Sequence, residues 1–316
     1  MVTSRPEIVG TFGVVASTHW LATTVGMTIL EKGGNAFDAA VAAGFVLHIV
    51  EPDQNGPGGD LPIILWSTAR KCVDVICGQG VAPAAANAGK IRDLGFDVIP
   101  GAGHLPAVVP GSFGAWMLLL RDYGTMRPRD VLEPAIGIAR DGFFTKPEVA
   151  RLLNNVAPFF KQHWPSSAEV FLPGGAAPTA GSLLRLPAQA DTYERVISEA
   201  ESAGANREAQ IEAARRAWYE GFVAEAIDRF FRQPVMDTSG EAHAGLLTGE
   251  PARVDPLHRL QRSSHRPDPG DGRRPRERQD SGELHCARRY VYSNGVRPRY
   301  DRRVERKAAS GLALKA

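Results

Sequence analysis

A helix-rich fold of the α+β or layered α/β class is predicted for residues 1–250 of this 316-residue chain. Three observations predict it: several segments place apolar residues at helical spacing, two short β-branched runs follow each other closely, and 43% of the residues are apolar. A chain of this length and apolar content can bury a substantial core. Residues 251–316 show no sustained apolar period, and we predict that they form a separate, disordered tail.

Two helices are predicted next to each other near the N-terminus. Residues 18–32 place apolar side chains at helical spacing, and Thr18 is a candidate N-cap. Residues 36–50 follow, with Asn35 or Asp38 as the capping residue. This second helix is apolar nearly all round and rich in Ala and Gly. We therefore predict that it is buried and that neighbouring backbones approach it closely.

A β-hairpin and a series of further helices are predicted downstream. The runs LPIILWST (61–68) and KCVDVICG (71–78) are separated by a short polar stretch, which is typical of an antiparallel hairpin. Two strands alone are only marginally stable, so this hairpin needs a larger sheet. The further helices are predicted to begin near Gly111 or Ser112, at 130–140, at 147–153, and from 191 to 231 with a break at Ala203-Gly204.

The loop GPGGD, residues 56–60, raises the question of a phosphate site. Glycines let backbone N–H groups point at an anion, but a P-loop continues with Lys and Ser or Thr, whereas Asp60, Leu61 and Pro62 follow here. The glycine spacing does not match G-x-G-x-x-G either. We therefore predict a turn whose glycines serve positive φ angles and close packing.

The remaining polar residues form no recognisable catalytic or metal-binding pattern. Ser17, Thr18 and His19 are adjacent, which suits helix capping better than a catalytic dyad. The chain has no G-x-S-x-G elbow, and its three cysteines form no C-x-x-C pair. We predict no metal, no cofactor and no disulfide framework. The histidines of the body are isolated from one another: His19, His48, His104, His163 and His243.

Charge divides the chain into two parts. Residues 251–316 hold 17 of the 37 Lys and Arg side chains but only 8 of the 35 acidic ones. An Arg-rich segment can bind nucleic acid, yet acids are mixed throughout this one and its only aromatic residues are tyrosines. Nucleic-acid binding is therefore kept as an alternative and is not the expectation. Out-of-frame translation of a GC-rich gene also gives this composition, and we hypothesise a frameshift after residue 250.

Two features of the sequence bear on the cellular location of the protein: its N-terminal segment and the length of its apolar runs. MVTSRPEIVGTFGVVAS lacks a basic flank followed by a continuous apolar stretch, so no signal peptide is recognised. No apolar run approaches the length needed to cross a bilayer. We predict a cytoplasmic protein without a membrane partner.

One long segment resembles a known family. GVVASTHWLATTVGMTILEKGGNAFDAAVAAGFVLHIVEPDQNGPGGDLPIILW is similar to the N-terminal part of the γ-glutamyltransferase (γ-glutamyltranspeptidase) family, including its cephalosporin-acylase-like branch. The similarity continues through VAPAAA (81–86), PAVVPGSFGAWMLLLRDYGTM (106–126) and VLEPAIGIARDGFFTKPEVA (131–150). It resumes weakly at 216–227 and 240–250. The resemblance thus covers about residues 10–250.

The resemblance implies an N-terminal-nucleophile (Ntn) hydrolase of layered αββα architecture, made as a zymogen that cleaves itself into a large and a small subunit. In this family the new N-terminal Thr of the small subunit attacks a γ-glutamyl or related acyl amide, and glutathione metabolism is the usual context. The matched residues correspond to the large subunit. No catalytic residue is therefore expected in this chain, whose last threonine is Thr248. A homo-oligomer is compatible with the resemblance.

One departure from the family pattern concerns the substrate. The γ-glutamyl enzymes of the family place an Arg in an R-E-x-A-P context, where it holds the α-carboxylate of the donor. This chain reads GQGVAP, which puts Gln79 at that position. A neutral amide can hydrogen-bond an acyl group but cannot form the ion pair. We predict that Gln79 binds substrate and that the substrate is an acyl amide other than glutathione.

Together these features predict the large-subunit portion of a γ-glutamyltransferase or acylase-type amide hydrolase or acyltransferase. We expect this truncated chain to be inactive alone, because the resemblance places the nucleophile beyond it. Its body should expose apolar surface and tend to aggregate, since the small subunit supplies most strands of the family's sheets. The alternative is a non-catalytic scaffold or binding protein with a basic, nucleic-acid-binding tail.

Overall fold

A computed structural model describes residues 8–247 and the backbone of a short strand at Gln261–Ser263. The helices are α1 (Trp20–Glu31), α2 (Ala36–Val50), α3 (Ala88–Asp93), α4 (Ser112–Tyr123), α5 (Pro128–Asp141), α6 (Pro147–His163), α7 (Pro165–Phe171), α8 (Pro187–Glu201), α9 (Arg207–Tyr219) and α10 (Phe222–Phe231). The strands are β1 (Leu61–Ser67), β2 (Cys72–Gly78), β3 (Phe143–Phe144), β4 (Leu183–Leu184), β5 (Val235–Met236), β6 (Ala242–His243) and β7 (Gln261–Ser263). The prediction of a helix-rich fold with a few strands is confirmed.

Helix α2 is the buried centre of the fold, as its Ala- and Gly-rich sequence predicts. The Asn35 side chain accepts the N–H groups of Phe37 and Asp38, and the Asp38 carboxylate accepts the Asn35 N–H at 2.9 Å. Both candidate capping residues therefore act together. A Cβ on Gly44 would lie 2.2 Å from the indole ring of Trp116, so a glycine is needed for α4 to approach this closely.

The other long helices surround α2 and share an aromatic core with it. Helices α1, α4 and α5 pack on α2, while α8 packs on α5 and α9 packs on both α4 and α8. Phe45 contacts Phe113 and Tyr193 edge to face at centroid distances of 5.8 and 5.5 Å. Phe113 also stacks on Trp218 at 4.2 Å. These ring contacts connect α2, α4, α8 and α9, and each adds about 0.5–1.5 kcal/mol beyond the burial of area.

The sheet has one buried face and one open face. Strands β1 and β2 form the predicted antiparallel hairpin, and β7 pairs with β2 on its other side. Leu65 and Ile76 belong to the main core beside α4. On the opposite face, Ile64, Trp66 and Val73 are 76%, 55% and 39% exposed. The predicted exposure of apolar surface is confirmed for this face.

Two helices have boundaries that differ from the predicted ones. Helix α1 begins at Trp20, and its N-cap is His19, whose Nδ1 accepts the Leu21 N–H at 3.2 Å. The prediction that Thr18 caps this helix is wrong, because the Thr18 hydroxyl donates to a distant carboxylate instead. Helix α6 continues to His163, well beyond the predicted end at residue 153. Asn154 and Asn155, which are weak helix formers, follow residue 153, but both are exposed and the helix continues through them.

Most of the predicted tail, residues 251–316, lies outside the described residues. Its disorder, its binding of nucleic acid and the frameshift hypothesis therefore stay predictions. Within the described part of the chain, none of the helices combines the length and the apolar character that a bilayer crossing requires.

Candidate functional site

The GPGGD loop lies across the N-terminal end of helix α4. Ser112, the first residue of α4, donates its hydroxyl to the carbonyl oxygens of Gly56 and Pro57, at 3.1 and 2.9 Å. The Ser112 N–H donates to the carbonyl oxygen of Gly59 at 3.0 Å. These bonds fasten the loop to the helix, and they occupy a backbone donor that an anion at this helix end would use. The geometry therefore disfavours a phosphate cradle, as the sequence predicts.

The loop glycines have a different conformation from the predicted one. None of Gly56, Gly58 and Gly59 has a positive φ, and a Cβ on Gly56 or Gly58 would meet no heavy atom within 4 Å. The positive-φ prediction is therefore wrong for these three glycines, and close packing is found only at Gly59, where a Cβ would lie 3.2 Å from the carbonyl oxygen of Gly56. The bonds from Ser112 hold the loop, and the space around Gly56 and Gly58 is open. Because Gly56 and Gly58 have no side chain, a molecule next to the loop can contact their backbone directly.

Two cavities meet at this loop. The first measures about 610 Å³ and lies between the loop, the end of β2, residues 106–110 and α10. The second measures about 550 Å³ and lies between the end of α2, residues 52–56 and α4. Gly58, Gly59 and Asp60 line both of them. Each cavity has the size of a small-molecule site.

Gln79 lines the first cavity. It follows the last residue of β2, where the chain crosses the segment that leads to α4. A Cβ on Gly80, whose φ is +75°, would lie 2.0 Å from the carbonyl oxygen of Val109, so this crossing is tight and its backbone is fixed. The Cys77 thiol donates to Gln79 Oε1 at 3.6 Å, and Gln79 Nε2 has no partner among the described residues. The predicted role of Gln79 in binding substrate stays a prediction.

A buried ionic cluster anchors the segment that leads into the GPGGD loop. Glu51, the C-cap of α2, has a side chain only 3% exposed and forms an ion pair with Lys146. Its carboxylate also accepts the Thr18 hydroxyl at 2.5 Å and the Asn55 amide at 3.3 Å. Burial raises the pKa of Glu51, but the hydrogen bonds from Lys146 and Thr18 outweigh burial and hold this pKa below its ordinary value. Glu51 is therefore charged at neutral pH and is a weak base.

Sequence reasoning missed this cluster because its members are distant in the chain. Thr18 and Lys146 lie 33 and 95 residues from Glu51. One sequence signal does indicate such a cluster: Glu51 comes directly after an apolar helix, and a carboxylate at the end of a buried helix needs a partner.

The polar groups near the N-terminus do not form a catalytic dyad. The Ser17 hydroxyl donates to the carbonyl oxygen of His19 at 2.8 Å, and the His19 ring caps α1. Burial and the nearby Lys146 lower the pKa of His19. Glu51 raises this pKa by less, so the net effect is a lowered pKa. The capping interpretation is therefore confirmed for His19, and no hydroxyl in this group is bonded to its ring.

A serine, a histidine and an aspartate also meet beside β5 and β6. The Asp237 carboxylate accepts the Ser239 hydroxyl at 2.6 Å and lies 2.8 Å from His243 Nδ1. Ser239 and His243 thus share one carboxylate and do not bond to each other, which a nucleophile and its base must do. Within residues 8–247, no three His, Cys, Asp or Glu side chains are grouped in a way that could hold a metal ion.

Comparison with known proteins gives a consistent result. The sequence profile of the family described as gamma-glutamyltranspeptidase matches residues 22–249. The chain is 35% identical over 226 residues to the glutathione hydrolase-like YwrD proenzyme of Bacillus subtilis (strain 168), covering 70% of this chain and 39% of that protein. It is 36% identical over 177 residues to the acylase ACY 1 proenzyme of Pseudomonas sp. (strain V22), covering 52% and 31%.

Solved structures show the same similarity in three dimensions. LmbA2991T421A is 53% identical, with a TM-score of 0.75 over 79% of this chain and 43% of that one. The gamma-glutamyltranspeptidase of Helicobacter pylori is 27% identical, with a TM-score of 0.62 over 72% and 61%. The cephalosporin acylase of Bacillus halodurans is 28% identical, with a TM-score of 0.60 over 73% and 43%.

Two conclusions follow from these matches. The chain spans about two fifths of the length of the first of these relatives and less than half of LmbA2991T421A. Apart from LmbA2991T421A, the named relatives and structures are proenzymes, acylases and a transpeptidase, and they give no support to the alternative of a non-catalytic scaffold with a nucleic-acid-binding tail.

Proposed function

The chain belongs to the γ-glutamyltranspeptidase family, and on this premise we propose that it is the large-subunit portion of an amide hydrolase or acyltransferase. The acyl group of a small amide binds in the first cavity, and the nucleophile comes from outside this chain. In the reaction, the nucleophile bonds to the acyl carbon and the amine leaves with a proton. The acyl group then passes to water or to a second amine.

The position of Gln79 is the observation that carries this proposal. Gln79 lies beside the GPGGD loop in a cavity whose other walls are residues 106–110 and the apolar side chains Ile227 and Phe231 of α10. Apolar walls with a single amide suit an acyl chain, because the walls take up the methylene groups and the amide orients a polar end. Two features that the resemblance singles out are therefore together at one site.

Thr18, Ser112 and Cys77, the candidate nucleophiles around this site, are not activated, which supports a source outside the described residues. The Thr18 hydroxyl is bonded to Glu51, whose lowered pKa makes it a weak base. The Ser112 hydroxyl is engaged by two loop carbonyls. The exposed thiol of Cys77 contacts only the Gln79 amide, which is not a base. Thr248, the last threonine of the chain, lies outside the described residues.

The open face of the sheet supports the proposal that a second portion of the protein packs there. Ile64, Trp66 and Val73 present apolar side chains to solvent, whereas α4 lies on the opposite face. Sheets of layered folds bury both faces. We propose that the portion supplying the nucleophile packs on this open face.

The substrate is proposed to be an acyl amide other than glutathione. Gln79 stands where the γ-glutamyl enzymes have an Arg, and a neutral amide cannot pair with an α-carboxylate. The cytoplasmic location and the truncation of the chain stay predictions, as does a homo-oligomer.

A turnover assay tests the proposal. The purified 316-residue chain is incubated with γ-glutamyl, glutaryl and pentanoyl p-nitroanilides, and release of p-nitroaniline is followed by absorbance. We expect no release above the buffer rate from any of the three. Turnover that copurifies with the chain would contradict the proposal, because it would place the nucleophile within this chain; loss of that turnover in Thr18→Val or Ser112→Ala would identify the residue.

A further inference from the structure

Asp60 gives the first cavity a negative charge. It is the last residue of the GPGGD loop and lines both cavities, and neither cavity has a Lys or Arg among its lining residues. At the first cavity, the remaining lining consists of glycines, apolar side chains and the neutral amide of Gln79. The described part of the chain therefore gives this cavity an anionic character.

No neighbour within residues 8–247 neutralises this carboxylate. Asp60 is exposed and takes part in no hydrogen bond or ion pair there. Two other acids near the loop are engaged instead. Glu51 is paired with Lys146, and Asp53 accepts the Gln54 amide at 3.2 Å. The charge of Asp60 is thus available to a ligand in the first cavity.

The walls of the cavity strengthen the effect of this charge. Apolar walls lower the effective dielectric constant, which increases both the attraction of an ammonium group and the repulsion of a carboxylate. Because Asp60 is exposed, salt and water still screen part of the interaction.

Gln79 adds a neutral polar contact beside this charge. Because the Cys77 thiol donates to its Oε1, the N–H groups of the Gln79 amide are left to donate to a carbonyl or hydroxyl oxygen of a ligand. They cannot neutralise a carboxylate at the same place. The site therefore offers one anionic group and one neutral donor.

We infer that Asp60 determines specificity in this site: it selects acyl amides whose acyl chain ends in an ammonium group and disfavours those that end in a carboxylate. This inference rests on the proposed function, because it assumes that acyl amides bind in the first cavity. It reverses the charge preference that an Arg at residue 79 would give.

Three amides with five-carbon acyl chains test the inference. They are 5-aminopentanamide (cationic), pentanamide (neutral) and glutaric acid monoamide (anionic), and their dissociation constants for the full chain are measured by ligand-observed NMR at low salt. We expect the cationic amide to bind roughly three- to ten-fold more tightly than the anionic one, as one partly screened charge pair allows. Asp60→Asn should remove this difference, whereas Asp97→Asn, an exposed acid that lines neither cavity, should keep it. Gln79→Arg should shift the preference toward the anionic amide.

The outcomes separate the inference from the proposed function. Equal binding of all three amides, or a preference for glutaric acid monoamide in the unmodified chain, overturns the role of Asp60 and leaves an acyl-amide site in place. A preference for 5-aminopentanamide that survives in Asp60→Asn also overturns it. Absence of binding by every amide overturns the acyl site itself and the proposed function with it.

Discussion

Acidification should weaken the fold through one residue, His48. This side chain is buried in the last turn of α2, with its Nδ1 3.2 Å from the Tyr193 hydroxyl and its ring edge to face against Phe45 at 5.5 Å. Burial lowers the pKa of His48 from 6.5 to about 3, because a protonated ring would be a buried charge. The native state therefore keeps this ring neutral at pH values where the unfolded chain protonates it.

The size of the effect follows from the difference in pKa. Between pH 6.5 and pH 3 the unfolded state binds a proton that the native state does not, so the free energy of unfolding falls as the pH falls. Each pKa unit corresponds to about 1.4 kcal/mol. Lowering the pH from 7 to 5 should thus remove roughly 2 kcal/mol through His48 alone, and the complete effect near pH 3 approaches about 5 kcal/mol.

Urea unfolding followed by tryptophan fluorescence at pH 7 and pH 5 measures this loss. The matched variant is His48→Gln, which retains a side chain able to hydrogen-bond Tyr193 but cannot titrate. His19 and His104, whose pKa values are also lowered by burial, titrate in both proteins and cancel in the comparison. The unmodified chain should lose about 2 kcal/mol more than the variant. Equal losses would refute the reasoning.

Three further predictions concern charge, packing and the open sheet face. Lys146→Met leaves Glu51 buried without its ion-pair partner, so the free energy of unfolding at pH 7 should fall by about 2–3 kcal/mol in urea titrations; the exposed Lys161→Met should change it by less than about 0.5 kcal/mol. Gly44→Ala places a methyl group against Trp116 and should cost about 1–3 kcal/mol in the same assay. Gly137→Ala in α5, where nothing lies within 4 Å, should be neutral or stabilising, and an equal cost at both glycines would argue against the packing explanation. Trp66→Ser should reduce self-association in analytical ultracentrifugation, and unchanged association would exclude this face as its cause.

Local signals in the sequence predicted the centre of the fold well. The apolar run of α2 and its two capping residues are adjacent in the chain, so the helix, its burial and its cap all follow from a short segment. The hairpin of β1 and β2 was predicted for the same reason. The start of α1 was not, because the Thr18 hydroxyl binds Glu51 across 33 residues and leaves the cap to His19.

The candidate site depends on contacts that the sequence does not display. The GPGGD loop forms the predicted turn, in which the Gly59 N–H donates to the Gly56 carbonyl oxygen at 3.0 Å, but its glycines take no positive φ angles and the loop is held by Ser112, more than fifty residues away. Gln79 was found through a family resemblance and not through its own chemistry. The negative charge of the first cavity depends on the fold, because Asp60 and Gln79 are 19 residues apart in the sequence and both line this cavity.

The central claim is that this chain provides an acyl-binding site but not the nucleophile, and intact-mass spectrometry tests it most directly. The purified chain is incubated with 5-aminopentanoyl p-nitroanilide at neutral pH. The reaction is quenched in acid, and the mass of the intact protein is measured. The account predicts an unchanged protein mass and no release of p-nitroaniline. A stoichiometric increase by the mass of the acyl group, located by peptide mapping on any residue of the chain, would contradict it.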